Sequence, residues 1–222
     1  MKTHYRNRLP HIAPIGATFF ITFRLVDSLP TSVLFKLKDQ WEYLKTTIKQ
    51  QYPDDYDNQL QIAKKRQFVK YEKALDKNPI GKCILNQPKV AEIVAQKLKQ
   101  YDDKYYSLIA YCIMPNHVHF LANFERQLLD KNKFQLNHEE LNYKQLSKIM
   151  QYIKGGSARE INLHLNNTGN SVWAKDSYDH FIRNDKEFKN VINYILKNPV
   201  KAGFVESTDD WKYSYVNWDF VP

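Results

Sequence analysis

Two extended segments around a Pro-Asn turn constrain the fold of this chain more than any other feature. Residues 107–114 and 117–124 have the length and composition of β-strands, and Pro115-Asn116 between them is a turn signal. Strands joined by so short a turn pair with each other in antiparallel fashion. The sequence therefore predicts a β-hairpin over residues 107–124.

Two further segments are predicted to be extended. In residues 18–25 aromatic and aliphatic side chains alternate with Thr22 and Arg24, which indicates a strand with one apolar face and a polar second face. Residues 177–183 also have the pattern of a strand.

Three segments have the spacing of amphipathic helices. Residues 89–101 follow a proline, and residues 146–165 contain Gly155-Gly156, where we expect a kink or a close backbone approach. The last helix begins with a capping pair at Asn184 and is expected to end at about Asn198.

The order of these elements predicts the fold class. Strand, helices, hairpin, helix, strand and helix give an α+β fold with an antiparallel sheet and helices packed mostly on its faces. Residues 31–80 are helical and charged, broken near Pro53, and are predicted to form an inserted helical hairpin with helices near 33–49 and 59–76. We expect residues 1–222 to be a single domain carrying this insertion.

The charge of the chain favours a polyanionic partner. Lys and Arg number 33 against 24 Asp and Glu, a formal net charge of +9. Nucleic acid is the first candidate and an anionic membrane surface the second, although moderate basicity also serves solubility alone.

The cysteines and the N-terminal residues predict a soluble, cytoplasmic protein. Cys83 and Cys112 lie far apart and form no CxxC pair, so neither a disulfide framework nor a thiolate zinc site is indicated. The first residues have no apolar signal core, and the apolar run 17–26 is too short to span a bilayer.

A His-x-His pair lies on the second strand of the predicted hairpin. Alternate strand residues point the same way, so His117 and His119 are predicted to share one face of the sheet and to converge on one divalent ion. Taken alone, the pattern is equally compatible with two strand histidines that bind nothing.

Tyr194 and Asn198 lie four residues apart on the last predicted helix, on one face and beside its apolar stripe. Because Pro199 disfavours helical geometry in the residue before it, the Asn198 amide is expected at a fraying helix end. It could turn its oxygen toward a ligand there, or be an ordinary C-terminal cap.

The sequences MPNHVHF at 114–120 and YILKNPVKAG at 194–203 resemble the REP-associated tyrosine transposases, a branch of the single-tyrosine HUH transposases. The resemblance extends over nearly the whole chain and includes residues 16–24, 153–155, 172–173 and 178–183.

The resemblance implies a ferredoxin-like or RRM-like sheet and a metal-dependent enzyme that cleaves and rejoins single-stranded DNA through a 5′-phosphotyrosine. It implies His117, His119 and Asn198 as metal ligands and Tyr194 as the nucleophile. The ion would be Mg²⁺ or Mn²⁺, and the partner single-stranded or hairpin DNA, with the protein a monomer or a homodimer and no membrane partner.

Additional residues are candidates for catalysis or DNA binding. His180 could approach the site or be a structural histidine, and Lys154, Arg183 and Lys201 could contact phosphates or be solvated charges. Four aromatic residues near the C-terminus could stack on unpaired bases or pack into the core: Trp211, Tyr213, Tyr215 and Trp218.

Two other functions remain open at this stage. One is an RRM-like nucleic-acid-binding module in which Tyr194 packs and no bond is cut, and the position of Tyr194 at the helix edge argues against it. The other is a replication-initiator or relaxase-type HUH nuclease, and the Asn-Pro-Val-Lys-Ala-Gly segment at 198–203 favours the transposase instead.

Overall fold

The computed structural model describes residues 2–7, 9–77, 81, 83–128 and 143–221, with side chains described from residue 14 onward except that of Lys77. The chain divides into two compact units, one formed by residues 27–83 and the other by the residues on either side of them. None of the described helices is both long enough and apolar enough to cross a membrane.

The larger unit contains seven strands and three α-helices among its described residues. The strands are β1 Lys2–Asn7, β2 Leu9–Pro14, β3 Thr18–Leu25, β4 Ser107–Ile113, β5 His117–Asn123, β6 Trp173–Phe181 and β7 Ser214–Val216. The helices are α3 Pro88–Gln100, α4 Leu146–His164 and α5 Asp185–Lys201. β1 and β2 form a separate two-stranded sheet.

The main sheet has the ferredoxin-like arrangement. Its strand order is β6-β3-β5-β4-β7, and every neighbouring pair is antiparallel. Strands β3 to β6, with α3 and α4 between them, follow the β-α-β-β-α-β order, with β7 added at the β4 edge. The predicted α+β class, antiparallel sheet and hairpin are confirmed.

The two faces of the sheet have different roles. Phe19, Ile21 and Phe23 of β3 point into the main core, which α3 and α4 cover. On the opposite face, α5 packs against β4 and β5. The side chains of β3 on that face, Phe20 and Thr22 among them, are buried too, so the polar second face of this strand is an interior surface.

The smaller unit is a pair of helices, α1 Thr31–Gln51 and α2 Tyr56–Lys77, which pack on each other. The break predicted near Pro53 separates them. The Gln67 side chain donates a hydrogen bond to the Leu37 carbonyl oxygen at 2.8 Å and joins the two helices. The predicted helices are confirmed, with ends within a few residues of those expected.

Two predicted boundaries are wrong, the start of β6 and the end of α5. β6 begins at Trp173 instead of residue 177, because Trp173 pairs with Leu25 across a bulge and packs its ring on Phe23. The α4 helix continues through Gly155-Gly156; a Cβ atom at Gly155 would meet nothing within 4 Å, and one at Gly156 would lie 3.2 Å from Cε of the Lys97 side chain, so no close backbone approach occurs there.

The end of α5 is the second correction. The helix continues past Pro199 to Lys201, so Asn198 lies in a helical turn and is 1% exposed. The missing N–H of Pro199 removes a single hydrogen bond, and the Asn198 carbonyl still accepts from the N–H of Ala202 at 3.0 Å. Gly203, with φ of +74°, follows the helix end.

Candidate functional site

The two histidines of the His-x-His pair face the same side of the sheet, as their spacing predicts. His117 and His119 lie on β5, both are buried, and their Nε2 atoms are 2.9 Å apart. Both belong to the face that α5 covers.

Each imidazole is oriented through its other nitrogen. The Nδ1 of His117 lies 2.7 Å from Oδ1 of Asn116, and the Nδ1 of His119 lies 2.7 Å from Oγ1 of Thr22. Because an amide oxygen only accepts, a neutral His117 ring in this contact has its proton on Nδ1 and its lone pair on Nε2. Such outer partners fix the tautomer and the ring orientation of metal-ligating histidines.

These two nitrogens fit a divalent ion. Two neighbouring ligands about 2.1 Å from an octahedral ion lie about 3 Å from each other, which matches the observed Nε2 separation. The short distance between the two Nε2 atoms places both nitrogens where one cation could bind them. His117 and His119 can therefore hold a metal ion.

Tyr194 contacts the histidine pair directly. Its ring centroid lies 5.4 Å from that of His119 at an interplanar angle of 71°, and 5.8 Å from that of Phe20 at 86°. The side chain is half-buried, so part of it remains accessible. Phe20 also stacks on His119 at 5.7 Å and 23°, and thus contacts both rings.

Asn198 lies one helical turn after Tyr194. Its Nδ2 atom is buried and has no hydrogen-bond partner among the described residues. A buried N–H group without an acceptor costs about 1–3 kcal/mol, so a ligand that engages this amide is favoured. Because an amide can rotate, it can present either the nitrogen or the metal-binding oxygen to that ligand.

Two further predicted residues lie close to these rings. Lys201, exposed in the last turn of α5, places Nζ 5.1 Å from the centroid of the Tyr194 ring. His180 pairs in register with Phe20, which puts it on the same sheet face as the histidine pair. Its Nε2 lies 2.9 Å from Oε1 of Glu187 in the first turn of α5.

The structure places Lys154 and Arg183 elsewhere. Lys154 is on α4, across the sheet from the histidines, and donates to the carbonyl oxygens of Ala174 and Lys175 at 2.7 and 3.0 Å. Burial lowers its pKa to about 8. Arg183 is exposed beyond the end of β6, with its guanidinium 4.8 Å from the centroid of the Phe181 ring.

Three of the four C-terminal aromatic residues pack. Trp211 donates to the Ile113 carbonyl oxygen at 3.1 Å, and Tyr215 stacks on Tyr111 at 5.4 Å. Tyr213 is half-buried against the core. Trp218 is 68% exposed and available to a ligand.

Sequence reasoning assigned no role to three residues of this site. The sequence predicts Thr22 only as a polar side chain of its strand, Asn116 only as part of a turn, and Phe20 as a strand residue without a functional role. The alternation of residues along β3 does indicate that Phe20 and Thr22 share one face, the face that points away from the main core. Their partner strand could not be identified from that pattern.

The fold and the site together define a ferredoxin-like α+β protein with a histidine pair and a tyrosine on one sheet face. No family model matches the chain. Its curated homologues are REP-associated tyrosine transposases, so the resemblance seen in the motifs is confirmed.

A stretch of 116 residues, 51% of this chain, is 31% identical to a Haemophilus influenzae protein assigned to the REP-associated tyrosine transposases, of which the match covers 61%. A stretch of 49 residues, 22% of the chain, is 37% identical to the REP-associated tyrosine transposase of Escherichia coli and covers 30% of it. The chain thus matches less than two thirds of the length of these curated relatives.

A solved structure supports the fold. It is described as a REP-associated tyrosine transposase bound to a REP hairpin, and the alignment covers 96% of this chain and 81% of that one. The TM-score is 0.51 at 17% sequence identity. At this identity the likeness concerns the fold alone.

Proposed function

We propose that this chain is a REP-associated tyrosine transposase, a metal-dependent HUH endonuclease and strand transferase that acts on single-stranded DNA. The observation that carries the proposal is the contact of Tyr194 with His119, whose Nε2 lies 2.9 Å from that of His117. A nucleophile beside a histidine pair able to hold an ion is an arrangement that suits metal-assisted phosphoryl transfer to tyrosine.

Tyr194 is the nucleophile in this proposal. Its hydroxyl oxygen attacks the scissile phosphorus and gives up its proton to water, while the bond from phosphorus to the 3′ oxygen breaks and that oxygen takes up a proton from water. The products are a 5′-phosphotyrosyl strand and a strand ending in a 3′-hydroxyl. Phe20 and His119 hold the tyrosine ring and so limit the positions that its hydroxyl can occupy.

The same chemistry run backwards rejoins DNA. A 3′-hydroxyl attacks the phosphotyrosine, the bond from phosphorus to the tyrosine oxygen breaks, and Tyr194 recovers its proton. One phosphodiester bond is exchanged for another, so no external energy source is needed. Transfer to a different 3′ end would give strand transfer.

His117, His119 and Asn198 would hold Mg²⁺ or Mn²⁺. The ion supplies Lewis-acid polarisation of the scissile phosphate. Thr22 and Asn116 keep the two imidazoles oriented, and nitrogen ligands favour Mn²⁺ over Mg²⁺. The buried Nδ2 of Asn198, which has no hydrogen-bond partner among the described residues, supports an amide that turns toward a ligand.

The proposed substrate is single-stranded DNA next to a hairpin-forming repeat. The net charge of +9 favours a polyanion, and the curated homologues carry the name of repeat-associated transposases. Lys201 beside Tyr194 is the proposed phosphate contact at the site, whereas Arg183 would contact DNA farther away. His180 would position the start of α5 through Glu187.

Residues 27–83 would be an insertion in a single catalytic domain, because the elements on either side of them complete one sheet. We propose that the protein acts in the cytoplasm, as a monomer or a homodimer.

End-labelled hairpin oligonucleotides with single-stranded flanks, incubated with Mn²⁺, test the proposal. We expect cleavage in the flank and a covalent protein–DNA adduct that survives denaturation, with neither product when EDTA replaces the ion. A blunt duplex of the same sequence is the matched substrate control. The proposal would be contradicted if none of the flanked hairpin oligonucleotides gave either cleavage or a covalent adduct.

A further inference from the structure

Three tyrosine rings meet on the side of the sheet opposite the histidine pair. Tyr101 directly follows α3, Tyr105 lies in the loop before β4, and Tyr152 lies on α4. Their ring centroids are 5.9, 6.1 and 6.1 Å apart, and the ring planes differ by 29° to 35°. Because the three separations are almost equal, the rings form a triangle and not a column.

This tyrosine platform (Tyr101, Tyr105 and Tyr152) is partly open to solvent. All three side chains are half-buried, and Tyr101 and Tyr105 pack with part of their surface on the main core. The helices α3 and α4 cover the core face of the sheet, whereas Tyr194 lies over the other face. The platform is thus separated from the candidate site by the sheet.

Two lysines lie over the rings. Nζ of Lys104 is 5.2 Å from the centroid of Tyr105, and Nζ of Lys148 is 5.3 Å from that of Tyr152. Both lysines are exposed, and within the described chain neither ammonium pairs with a carboxylate. Lys148 has only a weak contact with the Gln151 side-chain oxygen at 3.5 Å.

The neighbouring carboxylates are already engaged. Oδ1 of Asp102 accepts from the backbone N–H groups of Asp103 and Leu108. Oδ1 of Asp103 lies 3.7 Å from Nη2 of Arg126. Neither ammonium over the platform thus has a carboxylate partner of its own among the described residues.

We propose that the tyrosine platform binds unpaired nucleotides of single-stranded DNA, as a second contact surface remote from the catalytic face. Accessible aromatic rings stack on bases of any sequence, and lysines beside them meet the phosphates. Duplex DNA keeps its base faces covered by stacking, so the platform selects unpaired strand. The proposal rests on the proposed function only for the choice of DNA as the polymer.

The test measures binding in EDTA, where no strand is cut. A labelled hairpin with a single-stranded thymidine tail is compared with the same hairpin without the tail. Tyr152→Leu should weaken binding of the tailed hairpin by at least about fivefold and leave the blunt hairpin unaffected. Tyr152→Phe, which keeps the stacking ring, is the matched control and should bind like the wild type.

A second variant reports on the charges and does not depend on Tyr152. Lys104→Gln combined with Lys148→Gln should reduce the slope of log affinity against log salt by about 1.4 for the tailed hairpin. Each lost phosphate contact on a single strand contributes about 0.7 to that reduction. Thermal unfolding confirms that each variant is folded.

Equal losses for tailed and blunt hairpins, or no loss in either variant, would overturn the proposal. The proposal would also be overturned if these variants lost binding to an acidic peptide but still bound the single-stranded tail like the wild type. Cleavage with Mn²⁺ at saturating DNA, measured in parallel, should proceed at the wild-type rate. If the wild type cuts no DNA while tail binding still depends on Tyr152, the proposed function fails and the platform stands.

Discussion

His119 and Tyr194 are in edge contact, with ring centroids 5.4 Å apart, although one lies in the middle of the sheet and the other on the helix that covers it. The contact brings the only tyrosine of the YILKNPVKAG motif to the histidine pair of the MPNHVHF motif. Two motifs far apart in the chain thus form one site.

Tyr194→Phe is expected to abolish both DNA cleavage and the covalent adduct. The substitution removes the proposed nucleophilic oxygen and keeps the ring, so the contacts with Phe20 and His119 and the stability should persist. Adduct formation is scored on denaturing gels, with DNA binding measured in EDTA. Tyr178→Phe, on the same sheet face and also in contact with Phe20, is the control and should still cut. An adduct formed by Tyr194→Phe would show that another residue attacks.

Thr22→Val should weaken Mn²⁺ binding by about 10- to 100-fold, the usual effect of losing the outer partner of a ligating histidine. The hydroxyl of Thr22 lies 2.7 Å from Nδ1 of His119, and valine keeps its shape without this contact. Calorimetric titration measures the affinity. Thr18→Val, on the same face of β3, should titrate like the wild type, whereas equal losses in both variants would contradict a specific role for Thr22.

Asn198→Ala is expected to weaken Mn²⁺ binding, and Asn198→Asp to preserve or strengthen it. Aspartate keeps an oxygen at the position of the amide and adds a negative charge, which a hard cation prefers. Asn193→Ala, at an exposed position of the same helix, controls for effects on α5 itself. Identical affinities for the Ala and Asp variants would remove Asn198 from the ligand group.

Lys201→Gln should weaken binding of single-stranded DNA and reduce the salt slope by about 0.7, the contribution of one phosphate contact. The ammonium lies 5.1 Å from the centroid of the Tyr194 ring and is exposed, so a phosphate held near the tyrosine is within its reach. Fluorescence anisotropy over a range of salt concentrations gives the slope. Lys197→Gln on the same helix is the control, and a slope lowered as much in that variant would argue for general charge alone.

The partly buried ammonium of Lys154 should make the free energy of unfolding depend on pH. Burial holds its folded-state pKa at about 8, below the value of 10.5 for a free lysine, with Asp176 opposing this and Arg24 adding to it. Between these values the unfolded chain binds more protons than the folded one, so stability from this group rises with pH across that window. The stability difference between wild type and Lys154→Met should therefore shift in favour of the wild type from pH 7.5 to about pH 10. Urea unfolding at both values measures it, and a constant difference would contradict the lowered pKa.

Local periodicity determined the parts of the site that lie within one element. The two-residue spacing on a strand fixed His117 and His119 on one face, and the four-residue spacing on a helix fixed Tyr194 and Asn198 together. These relations follow from backbone geometry alone, so they hold whatever the element packs against. The motifs also indicated the family resemblance that the homologues bear out.

Only the tertiary structure decided which elements meet. Strand register set Thr22 opposite His119, and packing of α5 on the sheet brought Tyr194 to that row and buried Asn198. The same packing carried the helix past Pro199, where the local preference of the residue before proline predicted an end. Register and packing depend on side chains distant in sequence that must share one buried surface, and a local pattern does not contain their pairing.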